Sequence, residues 1–206
     1  MKALIRSIFC VVLASLALSV SMGACAQAAR IQVEVLVFAY NTPEDSAGMA
    51  GEDADPRYGG MLLGSGGTDY SALPPESLKL GGAYTALARH ARTRSLVHFG
   101  WQQDVGSERS VRVRGKGTIS GSDAARGLLA SEMPELDGDI TLKFGRAVEA
   151  HVDLLLRQVS ASGVQQRFRL NTRRVMSSNG EVHYLDHPAV GVILSITQLE
   201  GVAELQ

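Results

Sequence analysis

The stretch "QQRFRLNTRRVMSSNGEVHYLDHPAVGVILSITQL", residues 165–199, decides how the chain is read. Residues 165–176 and 181–187 read as two strands. Asn179-Gly180 lies between them. That dipeptide favours a tight two-residue turn with both φ angles positive, so the two segments are expected to form a hairpin. Pro188 then interrupts the ladder because it has no N–H to donate. In 189–199 Val190, Val192, Leu194 and Ile196 share one face of a last strand.

Working outward, the same period recurs upstream. Residues 147–159, "AVEAHVDLLLRQV", alternate at Val148, Ala150, Val152, Leu154 and Leu156 and are read as a strand, although Val148, Val152 and Leu155 would also suit a helix. They pair with 138–145, "GDITLKFG", across a bend at Gly145. Residues 110–120 and 95–103 are two further strands. Before them, Leu80, Ala83, Tyr84, Leu87, Ala88 and Ala91 make one helical stripe over 78–92, preceded by Pro74-Pro75 and with Ser77 placed to cap it. Residues 30–40, "RIQVEVLVFAY", form the first strand, with Ile31, Val33, Val35, Val37 and Ala39 on one face. Residues 41–77 are rich in Gly, Ser, Pro and acidic residues, Glu44, Asp45, Glu52, Asp53 and Asp55 among them, and read as a long flexible loop. The order β-loop-α-β followed by antiparallel strands is an α+β fold: a mostly antiparallel sheet with one or two packed helices.

The N-terminus carries a different signal. Lys2 and Arg6 precede an apolar run from Ile8 to Val20, and small residues follow through Ala28. That is the layout of a secretory signal peptide cleaved near Ala28, with a run too short to span a bilayer comfortably. A lipidated Cys25 is the rival reading. Cleavage leaves a single domain, 29–206, without Cys10 or Cys25, so no disulfide, thiol nucleophile or cysteine metal site is expected. Of 20 basic residues Lys2 and Arg6 are lost, against 21 acidic ones, giving a net charge of −3. That balance argues against nucleic acid as the partner.

The chemistry-bearing candidates lie mostly in the C-terminal half. His183, Asp186 and His187 resemble a metal-chelating spacing, but only on a helix. On a strand His183 and His187 share a face about 13 Å apart, and Asp186 points the other way. No metal, cofactor or catalytic group is therefore expected. Glu181, His183, Asp186 and His187 are read as a structural polar network, with Arg173 or Arg174 pairing across the hairpin to Glu181 or Asp186. The basic residues are the candidate ligand contacts: Arg112 and Arg114 on one strand, Arg167 and Arg169 on another, and Arg173 and Arg174 beside the turn. Guanidinium groups match carboxylates, although a solvated sheet face would carry the same pattern. Tyr184 joins them as a contact candidate. Trp101, the only tryptophan, reads as core or as a platform for a sugar ring.

Three segments together resemble one family: "IQVEVLVF" (31–38), "LVHFGWQQ" (96–103) and "FRLNTRRVMSSNGEVHYLDHPAVGVILSI" (168–196). The last, with its basic residues, turn, H-Y-L-D-H-P and G-V, resembles the C-terminal signature of the CsiV-type peptidoglycan-binding proteins. "GDITLKFGRAVEAHVDLLL" (138–156) resembles the family's strand pair, departing from it at Phe144-Gly145-Arg146-Ala147. The resemblance implies a secreted periplasmic protein of a Gram-negative cell that binds peptidoglycan and supports wall synthesis and cell shape. It implies action through an outer-membrane lipoprotein that activates a class A penicillin-binding protein, and supplies no catalytic or ligand-contacting residues. From other classes, a metal-dependent wall hydrolase using His183, Asp186 and His187, or a scaffold touching only proteins, remain alternatives.

Overall fold

The computed structural model describes residues 29–41, 58–62, 70–106, 108, 110–115, 134–159 and 165–199. The expected signal peptide, most of the acidic loop and residues 116–120 of the strand expected over 110–120 lie outside them.

Two antiparallel sheets hold most of the described residues. The first contains β1 (Arg30–Tyr40), β2 (Tyr70–Ala72), β3 (Thr93–Asp104), β8 (Asn179–His187) and β9 (Val190–Gln198), in the order β2-β3-β1-β9-β8. The second contains β4 (Ser110–Arg114), β5 (Leu136–Phe144), β6 (Val148–Val159) and β7 (Gln165–Met176), in the order β4-β5-β6-β7. The alternating apolar residues of both sheets meet in one core. Ile31, Val33, Val35 and Val37 of β1 and Leu194 and Ile196 of β9 join Ile140, Leu142, Val152, Leu154 and Leu156 of the second sheet. Strand-period patterning buries one face of each sheet, and stacking the two faces is the arrangement that removes both from water.

The chain has one short helix among the described residues, α1 (Gly81–Arg89). It is shorter than the expected 78–92, and Ser77 does not cap it. Pro75–Ser77 form a 3₁₀ turn instead. The next two free amides, of Lys79 and Leu80, donate to Glu34 on β1 at 2.8 and 2.7 Å. A carboxylate from another element thus satisfies donors that a local cap would have taken. The fold is mostly antiparallel with a helix added, α+β in the broad sense, but it has two sheets where a single one was expected.

The second difference concerns residues 165–187. β7 and β8 do not pair; they belong to different sheets, and Ser177–Ser178 carries the chain from one sheet to the other. Asn179-Gly180 is used for a bulge, not a hairpin turn. Asn179 pairs with Thr197, Val182 with Ser195, and the register shifts between them. Gly180 has a φ of 86°, a left-handed conformation that other residues adopt only with strain. The hairpin lies one step later: His187 pairs with Val190 around Pro188-Ala189. Pro188 costs no ladder bond there, because a turn position needs no N–H.

Candidate functional site

The outer face of the second sheet is a charged grid. Strand register places Arg112, Asp139, Asp153 and Asn171 on one rung and Ser110, Thr141, His151 and Arg173 on the next. Most of this charge is internally matched. Arg112 makes a bidentate pair with Asp137 at 2.9 and 2.7 Å, donates to the Tyr58 carbonyl, and sits 5.6 Å from the centre of the Tyr58 ring. Arg169 makes the same fork to Asp153 at 2.8 and 2.7 Å. Asp139 accepts the amides of Gly59 and Gly60 and so clasps the middle of the long loop to the sheet. Burial raises the Asp139 pKa above the ordinary carboxylate value, against the lowering effect of those two amides.

Among the sequence candidates, Arg112 and Arg169 are therefore committed to carboxylates, and Arg167 is half-buried and engaged by a neighbour. Arg114, Arg173 and Arg174 are exposed and have no ion pair among the described residues. Trp101 is fully buried; its N–H is satisfied by Gln103 at 2.7 Å, and its platform reading is corrected to core.

The expected network of Glu181, His183, Asp186 and His187 is likewise divided. Glu181 accepts from Ser177 at 2.8 Å. His187 Nδ1 accepts the Ala189 amide at 3.2 Å, and its ring meets Phe168 edge-on. Burial lowers the His187 pKa below the usual histidine value, opposed by Asp186. The buried Nε2 of His183 has no hydrogen-bond partner among the described residues. Asp186 projects to the opposite face and bonds tyrosines. Neither Arg173 nor Arg174 reaches Glu181 or Asp186, because β7 and β8 lie in different sheets. Among the described residues no three His, Cys, Asp or Glu side chains gather closely enough to hold a metal ion.

Two surface features remain. At one end of the sandwich, the β5–β6 turn and the β7–β8 connection enclose an open cleft of 470 Å³. Phe144, Val148 and Met176 form its apolar part, and Arg146, Ser177 and Asn179 its polar part. Arg146 is exposed and has no ion pair among the described residues. Arg174 and Arg173 follow Met176 back along β7 by two and three residues. Of these guanidiniums Arg146 lines the cleft, Arg174 shares the strand face of Met176, and Arg173 stands on the outer face at the end of the grid.

The other feature is a tyrosine ledge on the outer face of the first sheet. Tyr184 Oη lies 2.6 Å from Tyr40 Oη and donates to Asp186 Oδ1 at 2.7 Å, and Tyr40 Oη lies 3.2 Å from the same oxygen. Burial, then Tyr40 and Asp186, push the Tyr184 hydroxyl pKa well above the tyrosine range, so it stays protonated. Phe38 lies beneath, its ring nearly parallel to Tyr184 at 6.2 Å. Gly191 makes this possible: a Cβ there would come within 2.3 Å of the Phe38 ring, which crosses β9 to reach β8.

The model of the CsiV peptidoglycan-binding protein family matches residues 9–199. The chain belongs to this family. No curated protein and no solved structure matches it. Its general role is therefore peptidoglycan binding, as the family's description states. No helix among the described residues is long and apolar enough to cross a membrane.

Sequence reasoning singled out Tyr184 and the Arg173-Arg174 pair, but missed Tyr40, Phe38 and Arg146. A glycine inside the alternating run of β9 was the one signal for the first two, since it marks a close approach. Arg146 carried no signal beyond its place in a turn.

Proposed function

We propose that the chain is a periplasmic accessory protein that binds peptidoglycan without turning it over, exported by cleavage near Ala28 and working as the single domain 29–206. Its contact with the wall is made at the cleft between the β5–β6 turn and the β7–β8 connection. The observation that carries this reading is the pairing of a concave surface with cations that the fold leaves unmatched: Arg146 in the cleft and Arg173 and Arg174 beside it. Stem peptides carry several carboxylates, and a guanidinium binds a carboxylate in a two-pronged fork. The apolar floor of Phe144, Val148 and Met176 suits the alanyl methyl groups of such a peptide. As the family resemblance implies, this hold on the wall serves a class A penicillin-binding protein through its outer-membrane lipoprotein activator.

Sedimentation with purified sacculi tests it. The mature chain pellets with sacculi at low salt, leaves them at high salt, and releases no muropeptides. Replacing Arg146, Arg173 and Arg174 together by alanine weakens binding about tenfold, the sum of three partly screened contacts. Arg169→Ala, which removes a matched cation from the neighbouring grid, changes it little. Release of muropeptides would make the protein an enzyme, and wild-type protein left in the supernatant would end the proposal.

A further inference from the structure

We infer that Tyr184, Asp186 and Tyr40 form a second subsite, a platform for a neutral N-acetylhexosamine ring of the glycan strand. This rests on the peptidoglycan reading and extends it to a surface separate from the cleft. Tyr184 and Val182 are successive outward residues of β8, and are 46% and 54% exposed in a protein that buries most of its large apolar side chains. A strand that spends two outward positions on exposed apolar surface is presenting that surface to something.

The arrangement specifies what the occupant offers. Tyr184 is held in place by Phe38 packed beneath its ring and by hydroxyl contacts to Tyr40 and Asp186. A ring already fixed loses little freedom when a ligand lies on it. Its exposed surface is an apolar platform for the C–H face of a sugar. Both tyrosine hydroxyls use Asp186 Oδ1, and Oδ2 is left without a hydrogen bond from any described residue. An exposed carboxylate oxygen beside an aromatic ring accepts from a sugar O–H or an acetamido N–H. The same charge repels stem-peptide carboxylates, so the ledge selects the glycan and leaves the peptide to the arginines. Tyr184 lies five residues along β8 from Asn179 at the cleft, about 16 Å at strand rise. One wall fragment can therefore reach both subsites.

The test is a calorimetric titration of residues 29–206 with soluble β-1,4-linked N-acetylglucosamine tetramer, which has the sugar and no peptide. Tryptophan fluorescence is a poor reporter here, since Trp101 is fully buried. The wild type binds the tetramer, and binding persists at high salt. Tyr184→Ala abolishes it, Asp186→Asn weakens it several-fold, and Tyr184→Phe, which keeps the ring, retains most of it. Thermal unfolding of each variant checks that the fold is intact; should Tyr184→Ala not fold, Asp186→Asn and Tyr184→Phe carry the decision between them. Binding unchanged in Tyr184→Ala or in Asp186→Asn overturns the assignment. So does a wild type that pellets with sacculi but ignores the tetramer, with the peptidoglycan reading left standing. A wild type that ignores both removes the reading and the subsite together.

Discussion

Each outer face of the sandwich buries one carboxylate: Glu34 on the first sheet, 3% exposed, and Asp137 on the second, 7% exposed. They are neutralised by different means. Asp137 faces a guanidinium, as does Asp153 on the same sheet, and the result is a largely self-matched surface. Glu34 takes two backbone amides and His98 Nε2 at 2.8 Å, and the result is a helix fixed over β3 with Tyr84 stacked on His98. The first solution uses up the face that carries it. The second covers only part of its face and leaves the β8 side, with Tyr184 and Val182, open. A basic strand pattern is thus a weak guide to a ligand site, because the arginines best ordered by the sheet are those the sheet already employs.

The sharpest way to break this comparison is Glu34→Ala. It strands the Lys79 and Leu80 amides and the half-buried His98 nitrogen at once, and bonds to a charged acceptor are worth about 1.5–3 kcal/mol each before relaxation. A loss of about 3 kcal/mol or more in urea unfolding is expected, with α1 detached from β3. A loss below about 1 kcal/mol would mean that α1 does not depend on Glu34. Arg112→Ala comes next. It leaves Asp137 buried without its fork and frees the Tyr58 carbonyl, at a cost of about 2 kcal/mol. Sacculus binding by the folded variant is unchanged. If Arg112→Ala lost binding with its stability intact, the second sheet's outer face would be a ligand surface after all.

The alternation of β1, β6 and β9 was legible because each buries a whole face, and burial of one face imposes the period of two. The antiparallel character followed from it. The division into two sheets did not. Residues 165–176 and 181–187 read as strands whether they pair with each other or with different partners, and Asn179-Gly180 serves a bulge as readily as a turn. The helix was placed but overextended, since the acceptor for Lys79 and Leu80 stands on β1, 45 and 46 residues away. The site was half visible for the same reason. Tyr184 announced itself within a local cluster, whereas Tyr40 reaches it only through the register of β1 on β9 and β9 on β8, across 144 positions of sequence.

The smallest effect tests the comparison within one strand, where neighbouring residues of β8 serve opposite sides of the first sheet. Asp186 faces the tyrosine ledge. His187 is drawn toward the core, its ring against Phe168 and its Nδ1 accepting the Ala189 amide of the β8–β9 turn. Burial lowers the His187 pKa in the folded chain below its unfolded value of 6.5, although Asp186 pulls the other way. The folded state then binds fewer protons than the unfolded state, so stability rises with pH in this range. The contribution is fully present above pH 6.5 and is lost as pH falls through the lowered folded value, since a proton on Nδ1 also ends its role as acceptor. Urea midpoints should fall between pH 7.5 and pH 5. His187→Gln, which cannot titrate, should flatten that slope. Binding of the N-acetylglucosamine tetramer at the ledge should follow neither change while the chain stays folded. A tetramer affinity that tracked the protonation of His187 would show that the two sides of β8 are coupled, and that the inner turn controls the platform.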